Sequence, residues 1–328
     1  MRSNAARSAR TQSGTLGRRL MKSNIINLQN TPDPETVTRE EVSFDSAGVR
    51  LVGMLFKPKD GSEQLPAAVV TGAWTTVKEQ MAGTYARELA ARGFVALTFD
   101  LSGWGQSDGE PRFVEDHAEK TADIKAAFQI LASQPEVEPA SLHGLGICAS
   151  AGYMVDAASG NPNVASVGLV APWLQNQDIV RAVYGGEEGV EQLIQVARDA
   201  EAAGGVLIPA AGPADAEGVL MAMDGYYADP SRGAIEAYDN QWNQASWEAW
   251  LTYTPANDPA RLDKPLAVVH SDAAAIPEGV RTFLSGFVGE ATQKWLEDVT
   301  QFDFYDDPEA VNTAADTLAA HFAANAGQ

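Results

Sequence analysis

Cysteine and histidine are scarce in this sequence. The 328 residues include one cysteine, Cys148, and four histidines. A single cysteine excludes an internal disulfide and any metal site built from several cysteines, and it is compatible with a reducing compartment such as the cytoplasm. No two histidines have the spacing at which a helix presents two metal ligands on one face. We therefore expect no metal and no other cofactor.

Basic residues are also much fewer than acidic residues in this chain. The chain has 23 lysine and arginine residues against 44 aspartate and glutamate residues, for a formal net charge of −21. Nucleic acids and anionic membranes both require a basic surface, so neither is expected as a partner. No apolar run is long enough to span a bilayer. The composition is that of a globular protein, and the expected partner is a small-molecule substrate, with a homodimer left open.

The first 36 residues differ from the rest of the chain. Residues 1–32 contain no acidic residue and six basic ones, namely Arg2, Arg7, Arg10, Arg18, Arg19 and Lys22. The segment lacks the apolar block of a secretory signal. Its composition is compatible with a transit peptide, but an upstream extension ahead of a start at Met21, or a disordered tail, is the favoured interpretation. Residues 1–36 are therefore predicted to be a disordered basic extension, followed by a folded domain over 37–328.

Strand-like and helix-like segments alternate along most of the chain. Val37–Ser46 and Val49–Pro58 predict an antiparallel hairpin that turns at Ala47 and Gly48. The later strands are continuous apolar runs, which are typical of strands buried on both faces of a parallel sheet. The predicted order continues with Pro66–Thr71, helix Val77–Arg92, strand Phe94–Phe99, helix Glu115–Gln134, the strand before Cys148, a helix from about Ala149, strands Val164–Val170 and Pro265–His270, helix Glu278–Phe287, strand Thr292–Val299 and helix Pro308–Ala324. This order predicts an α/β fold with a doubly wound, mostly parallel sheet.

The alternation breaks over about 173–262. This stretch is helical in pattern and rich in aromatic residues. It predicts a helical cap inserted beside the carboxyl edge of the sheet, which is the edge where ligands bind in such folds. Most of its rings are expected to be packing, because aromatic side chains in helices usually belong to the core. Trp173, Tyr226 and Tyr227 are the candidate substrate contacts.

The stretch Leu142–Tyr153 has the pattern of a strand, a tight turn and a helix. Such a turn carries a nucleophile when the residues two before and two after it are small. Cys148 fits, with Gly146 before it and Ser150 after it. Ser150 also fits, with Cys148 before it and Gly152 after it. Cys148 is favoured because glycine relieves the crowding of the turn better than cysteine does, while the alternative is a buried cysteine with a structural role.

Three motifs carry a resemblance to a known family: the glycine-dense turn Asp100–Gly109, the elbow Gly146–Ser150 and the segment Tyr226–Gly233. With the order of elements, they make the chain over about 40–326 resemble the α/β-hydrolase superfamily. Within it, the elbow is most similar to the dienelactone-hydrolase-like members, which use Gly-x-Cys-x-Gly or Gly-x-Cys-x-Ser. The resemblance implies an α/β-hydrolase fold with its nucleophile at the elbow.

The resemblance also implies roles for individual residues. A thiolate at Cys148 would attack the carbonyl of an ester, lactone or thioester. The oxyanion hole would consist of the backbone N–H of Ala149 and that of Ala73 or Trp74. The helix that follows Cys148 is expected to lower the pKa of the thiol.

The residues for proton transfer depart from the family pattern. Gln301 stands where the family's histidine would be, and glutamine cannot take up a proton near neutral pH. Asp272 follows the strand Pro265–His270 and is the candidate acid, although alignment on His270 would place Ala274 at the acid position. His270 is a second candidate helper. Loss of one triad member in a serine protease costs about 10⁴ in rate, so a Cys–Asp pair is expected to hydrolyse slowly.

Two functions are compatible with this combination. The first is a hydrolase for a carboxylic ester, lactone or thioester, in which Cys148 is the nucleophile and Asp272 or His270 assists. The second is a protein of the same fold that has lost hydrolysis, as a lyase, isomerase, cyclase or small-molecule binder. The intact elbow favours the first function and Gln301 favours the second; the first is preferred.

Overall fold

The computed structural model describes residues 25–59 and 64–327 of the chain. Its first part consists of β1 (Val37–Ser46), β2 (Val49–Pro58), β3 (Leu65–Thr71), α1 (Met81–Ala90), β4 (Val95–Phe99), α2 (His117–Ala132), β5 (Val137–Ile147), α3 (Ser150–Ala158) and β6 (Val164–Val170). The predictions for β1, β2 and β6 are confirmed with the same bounds. Ala47 and Gly48 have φ of 51° and 92°, the positive values that a two-residue hairpin turn requires.

The stretch between β6 and the next long strand contains short strands as well as the predicted helices. It consists of α4 (Gln177–Val183), α5 (Gly186–Ala202), β7 (Leu207–Pro209), β8 (Ala211–Gly212), β9 (Met221–Ala222), β10 (Gln241–Asn243) and α6 (Trp247–Thr252). β7 pairs with β10, and β8 pairs with β9. The alternation then resumes with β11 (Leu266–Ser271), α7 (Pro277–Gly286), β12 (Ala291–Leu296), α8 (Asp303–Asp306) and α9 (Pro308–Ala324).

An eight-stranded sheet forms the centre of the fold, in the order β1-β2-β4-β3-β5-β6-β11-β12. β2 pairs antiparallel with β1 and β4, and the remaining neighbours are parallel. α1 and α9 pack against one face, and α2 and α3 pack against the other. The predicted doubly wound, mostly parallel sheet is therefore confirmed. Over the described ranges, no helix is long and apolar enough to cross a membrane.

The parallel strands bring several loops to one edge of the sheet. Thr71 at the end of β3 lies opposite Gly146 in β5, and Ile147 at the end of β5 lies opposite Val170 in β6. β11 and β12 run in the same direction beside β6. The loops after these strands therefore meet at the carboxyl edge, because parallel strands all end on the same side.

The extension predicted over 1–36 is ordered before it reaches β1. Residues 1–24 lie outside the described residues. Further along, the N–H of Ile26 donates to the carbonyl of Asp306 at 3.0 Å, and Leu28 is buried in the core. The predicted boundary is corrected in this respect, because the segment after residue 24 pairs its backbone with the domain and buries apolar side chains against it.

Candidate active site

Cys148 occupies the turn between β5 and α3. Its φ is 55°, a left-handed conformation that is unfavourable for a residue with a Cβ. Gly146 gives the turn the space it needs, because a Cβ there would lie 2.7 Å from the Cα of Ala151 and 2.9 Å from the Cβ of Met154. The sequence therefore folds here as a strained strand–turn–helix elbow with Cys148 at its tip.

Ser150 belongs to the turn rather than to the cavity beside it. Its Oγ donates to the carbonyl of Ile147 at 3.1 Å and accepts from the N–H of the same residue at 3.2 Å. The hydroxyl is thus occupied by the backbone of the elbow, whereas Cys148 lines a cavity. This geometry favours the Cys148 register over the Ser150 register.

The cavity beside Cys148 has a volume of about 520 Å³. Aromatic rings form much of its wall, from Trp74, Trp173, Tyr184, Tyr227, Trp250 and Phe302. Leu220–Met223 of the insertion, Ala273 and Ala275 of the loop after β11, and Ala149, Thr300, Gln301 and Tyr305 also line it. No lining residue in the described part of the chain carries a carboxylate, an ammonium, a guanidinium or an imidazole. The cavity therefore suits a neutral, apolar ligand, because a buried charge would find no partner in it.

The loops after β3 and β5 each bring a residue to the cavity beside Cys148, namely Trp74 and Ala149. Burial raises the pKa of the Cys148 thiol, and hydrogen bonding to the backbone N–H groups of these two residues opposes this rise. Trp74 lies in the loop after β3, the strand next to β5. Ala73 does not line the cavity, and its carbonyl oxygen accepts a hydrogen bond from Thr76 Oγ1 at 2.6 Å. Of the two alternatives that the resemblance left open, Trp74 lines the cavity and Ala73 does not, and the oxyanion hole itself stays a prediction.

Burial raises the pKa of the Cys148 thiol above its ordinary value. Hydrogen bonds from Tyr305, the two amides and Gln301 oppose this effect without overcoming it. The side chain is only 7% exposed, so the charged form loses nearly all of its hydration. The expected lowering of this pKa by the following helix is therefore wrong in direction, and the thiol is protonated at neutral pH.

Gln301 lies in the loop after β12 and lines the cavity beside Cys148. Its Nε2 donates to the carbonyl of Ala171 at 2.9 Å and to the hydroxyl of Tyr305 at 3.0 Å. Its Oε1 accepts from the N–H of Ala275 at 3.1 Å. The three bonds fix the orientation of the amide, because exchanging its oxygen and nitrogen would oppose donor to donor and acceptor to acceptor.

Tyr305 is the residue at the sulfur that the sequence analysis missed. It lines the cavity with Cys148, and its hydroxyl accepts a hydrogen bond from Nε2 of Gln301 at 3.0 Å. Burial raises the pKa of the Cys148 thiol, and hydrogen bonding to Tyr305 is the largest effect that opposes this rise. Tyr305 lies in α8, four residues after Gln301. That spacing places two side chains on the same face of a helical turn, so the separation from Gln301 was the signal that could have identified Tyr305.

Asp272 does not reach the site. Its side chain is 73% exposed and pairs with Arg281 at the surface. The residues of the loop after β11 that line the cavity are Ala273 and Ala275. The prediction of Asp272 as the acid is corrected, because its carboxylate points to solvent and the two residues of this loop at the cavity carry none.

The candidate histidine is buried away from the cavity. His270 has no exposed surface, packs against Trp295 with ring centroids 5.3 Å apart, and has a pKa lowered to about 4, chiefly by burial. It does not line the cavity, so the structure does not support it as a helper. Among the described residues, no group of three histidine, cysteine, aspartate or glutamate side chains comes together that could hold a metal.

The three candidate substrate contacts have different environments. Trp173 and Tyr227 both line the cavity. Tyr226 does not: it is buried beside Tyr305, with ring centroids 5.1 Å apart, and Arg232 lies over its ring at 5.9 Å. Tyr226 is therefore packing behind the site, and its role as a substrate contact is not supported.

The fold and this site define a class of protein. A doubly wound, mostly parallel sheet with a strained elbow after β5 and the loop after β3 beside that elbow is the architecture of the α/β hydrolases. The sequence profile of the X-Pro dipeptidyl-peptidase (S15) family matches residues 47–270, which is more than half of the chain. The chain belongs to that family.

Three relatives illustrate how similar known proteins are to this chain in sequence and structure. Uncharacterized protein PA2218 of Pseudomonas aeruginosa is 38% identical over 133 residues, 40% of this chain and 36% of that protein. Its crystal structure aligns with a TM-score of 0.78 at 24% identity, over 90% of this chain and 96% of the other. Polyketide transferase claH of Penicillium crustosum is 32% identical over 141 residues, 42% of this chain and 46% of that protein. Thiohydrolase aneE of Aspergillus aculeatus is 28% identical over 173 residues, 52% of each. The sequence alignments thus span about half or less of these relatives' lengths.

Proposed function

We propose that this protein is an acyl-transferring hydrolase for a carboxylic ester, lactone or thioester, with Cys148 as its nucleophile. One observation carries the proposal: Sγ lies at a strained elbow, at the wall of a cavity, beside the amides of Ala149 and Trp74. A carbonyl attacked by Sγ would place its oxygen near these donors, which would stabilise the developing negative charge. Membership of the dienelactone-hydrolase-like branch remains a prediction of the elbow sequence.

A thioester suits the site better than an oxygen ester. The lining residues within 25–59 and 64–327 provide no base and no strong acid, so the proton of the Cys148 thiol has to pass to the departing group. Cys–SH and R–CO–SR′ then become Cys–S–CO–R and R′–SH. A thiolate leaves more readily than an alkoxide without prior protonation, because its conjugate acid is far stronger. The name of thiohydrolase aneE agrees with this preference.

The acyl group is expected to be neutral and apolar. The cavity wall is aromatic and aliphatic and has no charged side chain among the described lining residues. A dipeptidyl-peptidase binds the charged amino terminus of its substrate, and an ammonium in this cavity would have no carboxylate partner. The peptidase activity in the family's name is therefore not the activity we propose for this chain.

A second candidate function is a non-hydrolytic one, in which the site binds a carbonyl compound or transfers an acyl group to an acceptor other than water. Gln301 favours it, because hydrolysis of an acyl-cysteine requires activation of water and an amide cannot accept the proton. The name of polyketide transferase claH agrees with group transfer. A homodimer and a cytoplasmic location remain predictions of the sequence.

Acylation of Cys148 is the direct test. The protein is incubated with the N-acetylcysteamine thioester of phenylacetic acid, and its intact mass is followed with the release of phenylacetic acid. We expect one phenylacetyl group per chain, located on Cys148, with release slower than acylation. Cys148→Ala should show neither acylation nor release above the background rate. Release that survives this substitution would remove Cys148 from the proposal.

The nature of the ligand is tested with a matched pair of thioesters. The N-acetylcysteamine thioesters of succinic acid and butyric acid have acyl chains of the same length, but only the first carries a carboxylate. Because no described lining residue offers a cationic partner, we expect acylation by the butyryl compound to be at least about tenfold faster. Equal rates would contradict a neutral acyl site. Binding of phenylacetamide without acylation by any thioester would favour the binding function.

A further inference from the structure

The insertion contains an arginine whose side chain reaches the segment 301–306, called the wall segment below. We propose, on the basis of the acyl-transfer function above, that Arg232 is a positioning residue: its guanidinium holds the wall segment, and with it the aromatic surface that receives the acyl group. Arg232 does not itself line the cavity. It therefore acts on the reaction only through the residues that do.

The wall segment carries three of the residues that line the cavity beside Cys148, namely Gln301, Phe302 and Tyr305. It consists of the end of the loop after β12 and of α8, a helix of four residues. A helix this short does not hold its own shape, since isolated helices below about 12–15 residues are marginal in water. The shape of this part of the cavity therefore depends on contacts from outside the segment.

Arg232 binds the wall segment at both ends of α8. Its Nε donates to Oδ2 of Asp306 at 2.7 Å, and its Nη2 donates to Oδ1 of the same carboxylate at 2.6 Å. Nη2 also donates to the carbonyl of Phe302 at 3.2 Å. Two parallel bonds to one carboxylate fix a direction as well as a distance. Because Phe302 precedes α8 and Asp306 ends it, one guanidinium fixes the turn that carries Tyr305.

The ion pair is buried, with 12% of the Arg232 side chain and 2% of the Asp306 side chain exposed. Removing two charges from water is costly, so such a pair is weak evidence for stability and is better explained by the geometry that it defines. Two neutral donors reach the same segment, because Tyr85 bonds to the carbonyl of Phe304 at 2.9 Å and the N–H of Ile26 bonds to that of Asp306 at 3.0 Å. These bonds hold the backbone of α8, and the ion pair fixes its last side chain.

The residues around Arg232 hold the arginine in its turn. The N–H of Gly233 donates to the carbonyl of Tyr226 at 2.9 Å, and a Cβ at Gly233 would lie 2.1 Å from the ring of Tyr226. The carbonyl of Gly233 accepts from Nε2 of Gln80 at 2.7 Å, and the guanidinium lies over the Tyr226 ring at 5.9 Å. The glycine and the tyrosine of the motif 226–233 thus serve to place Arg232.

The same motif also supplies a residue to the cavity. Tyr227 lines the cavity, and its ring packs edge-on against Phe302 of the wall segment, with centroids 5.6 Å apart. The motif therefore forms one part of the cavity wall directly and holds the adjoining part through Arg232. Loss of the ion pair should change the surface that these two parts form together.

The concentration dependence of acylation tests this role. Acylation of Cys148 by the N-acetylcysteamine thioester of phenylacetic acid is measured over a range of thioester concentrations for the wild type and for Arg232→Lys. Lysine keeps the charge but lacks the planar fork that bonds to both carboxylate oxygens. We expect the half-saturating concentration to rise about tenfold and the limiting rate to change less than about threefold, because the wall segment binds the acyl group. A merely structural role would lower the free energy of unfolding without this change.

Arg261→Lys is the matched control. Arg261 also joins the insertion to the core, since its Nε donates to Oδ1 of Asp156 at 2.7 Å and its Nη1 donates to the carbonyl of Pro255 at 3.2 Å. None of these three residues lines the cavity. We expect the half-saturating concentration of Arg261→Lys to lie within about twofold of the wild type. An unchanged value in Arg232→Lys would overturn the proposal, as would an equal rise in both variants.

A second variant covers the case in which Arg232→Lys does not fold, as judged by circular dichroism. Asp306→Asn keeps the size of the side chain and removes its charge, so the guanidinium keeps its bond to the carbonyl of Phe302 and loses the ion pair. We expect a smaller rise of the half-saturating concentration, about threefold, because a neutral acceptor binds arginine less strongly. No rise in this variant would then overturn the proposal.

Binding of phenylacetamide separates this proposal from the proposed function, because binding does not require acyl transfer. Its dissociation constant is measured by calorimetry for the wild type and Arg232→Lys. Weaker binding to Arg232→Lys, together with no acylation of the wild type by any thioester, would reject the proposed function and support the positioning role. Acylation of the wild type, together with equal binding and equal half-saturating concentrations in both proteins, would reject the positioning role alone.

Discussion

The two halves of the Cys148 site differ in the kind of atom that forms them. The loops after β3 and β5, the elbow half, contribute the sulfur and the backbone amides of Trp74 and Ala149. The loops after β11 and β12, the proton half, contribute the methyl groups of Ala273 and Ala275 and the amide of Gln301. The elbow half has the parts needed to polarise a carbonyl, whereas the proton half has no group that takes up a proton near neutral pH.

This difference follows from what each half requires of the sequence. Backbone amides exist at every position except proline, so the donors of the elbow half depend on the path of the chain and on Gly146. Proton transfer depends on particular side chains, and one substitution removes it. An α/β-hydrolase site can therefore keep its carbonyl-binding geometry while its capacity for hydrolysis falls.

The largest expected effect comes from completing the proton half. The double variant Gln301→His, Ala274→Asp should raise kcat/KM for hydrolysis of a neutral thioester by about 10²-fold, since a positioned general base contributes about 10²–10⁴. Gln301→His alone should gain only about tenfold, because Ala273 and Ala275 offer nothing to orient the ring. Steady-state hydrolysis of the three proteins measures the comparison.

The gain from completing the proton half should depend on the sulfur. Adding Cys148→Ala to the double variant should return hydrolysis to the background rate. A gain that persists without the sulfur would show that the new histidine activates water by itself. Unchanged rates in both histidine variants would mean that the elbow half, and not the missing base, limits the reaction.

A substitution that crowds the elbow half should lower the free energy of unfolding. Gly146→Ala is expected to lower the free energy of unfolding by about 2–3 kcal/mol, since the added Cβ would lie 2.7 Å from the Cα of Ala151 and backbone cannot move aside. Gly48→Ala is the control, with a φ of 92° and no atom within 4 Å of its Cβ position, and should cost about 1 kcal/mol. Urea unfolding measures both. Equal losses of unfolding free energy in the two variants would show that the short distance between position 146 and Ala151 is not what requires glycine at the elbow.

The strand beneath the elbow half should make the fold sensitive to acid. His143 in β5 bonds to Ser166 at 2.9 Å, stacks on Phe322, and has a pKa lowered to about 3, chiefly by burial. The unfolded chain binds a proton at this histidine below about pH 6.5 and the folded protein does not, so its contribution is complete above pH 6.5 and is lost as the pH falls.

A variant isolates this contribution. His143→Gln keeps a hydrogen-bonding side chain next to Ser166 but does not titrate. Between pH 7 and pH 4.5 the wild type should lose about 2 kcal/mol more of its free energy of unfolding than the variant loses. Urea unfolding at the two pH values gives the difference. The same pH dependence in both proteins would contradict the assignment of His143 as a neutral core residue.

The smallest effect is expected at Asp272, outside both halves. Its carboxylate is exposed and paired with Arg281 on the surface. Asp272→Asn should change kcat/KM for the thioester by less than about twofold, since an exposed pair contributes little and does not reach the sulfur. A tenfold loss in the same assay would show that Asp272 takes part in the reaction. The proton half would then contain a titratable group, and the difference between the two halves would no longer hold.

Much of the fold could be predicted from the sequence, since local patterns encode it. The apolar runs of β3 to β6 and the alternation of β1 and β2 indicated the strands, and the helix over Pro308–Ala324 appeared with its observed bounds. The elbow could also be predicted from the sequence, because the requirement for a small residue acts over a few positions. Gly146 has to be small where α3 turns back on β5.

The partners of the sulfur could not be predicted in the same way. Trp74 precedes Gln301 and Tyr305 by more than two hundred residues, and all three line one cavity with Cys148 only when the sheet is assembled. Asp272 looked suitable from its place after β11, yet its side chain turns to solvent. Side-chain direction in a loop depends on individual backbone angles, such as the φ of 63° at Thr75 and 42° at Ile276, which no periodic pattern records.

The sequence by itself determined the α/β alternation, the elbow and the absence of a histidine at position 301, since each depends on residue types at short spacing. The tertiary structure alone decided that the thiol is buried and protonated, that Gln301 and Tyr305 line the cavity beside it, and that the cavity wall carries no charged side chain among the described residues. The physical reason is that hydration and hydrogen bonding depend on which groups surround an atom in space, and these groups come from distant parts of the chain.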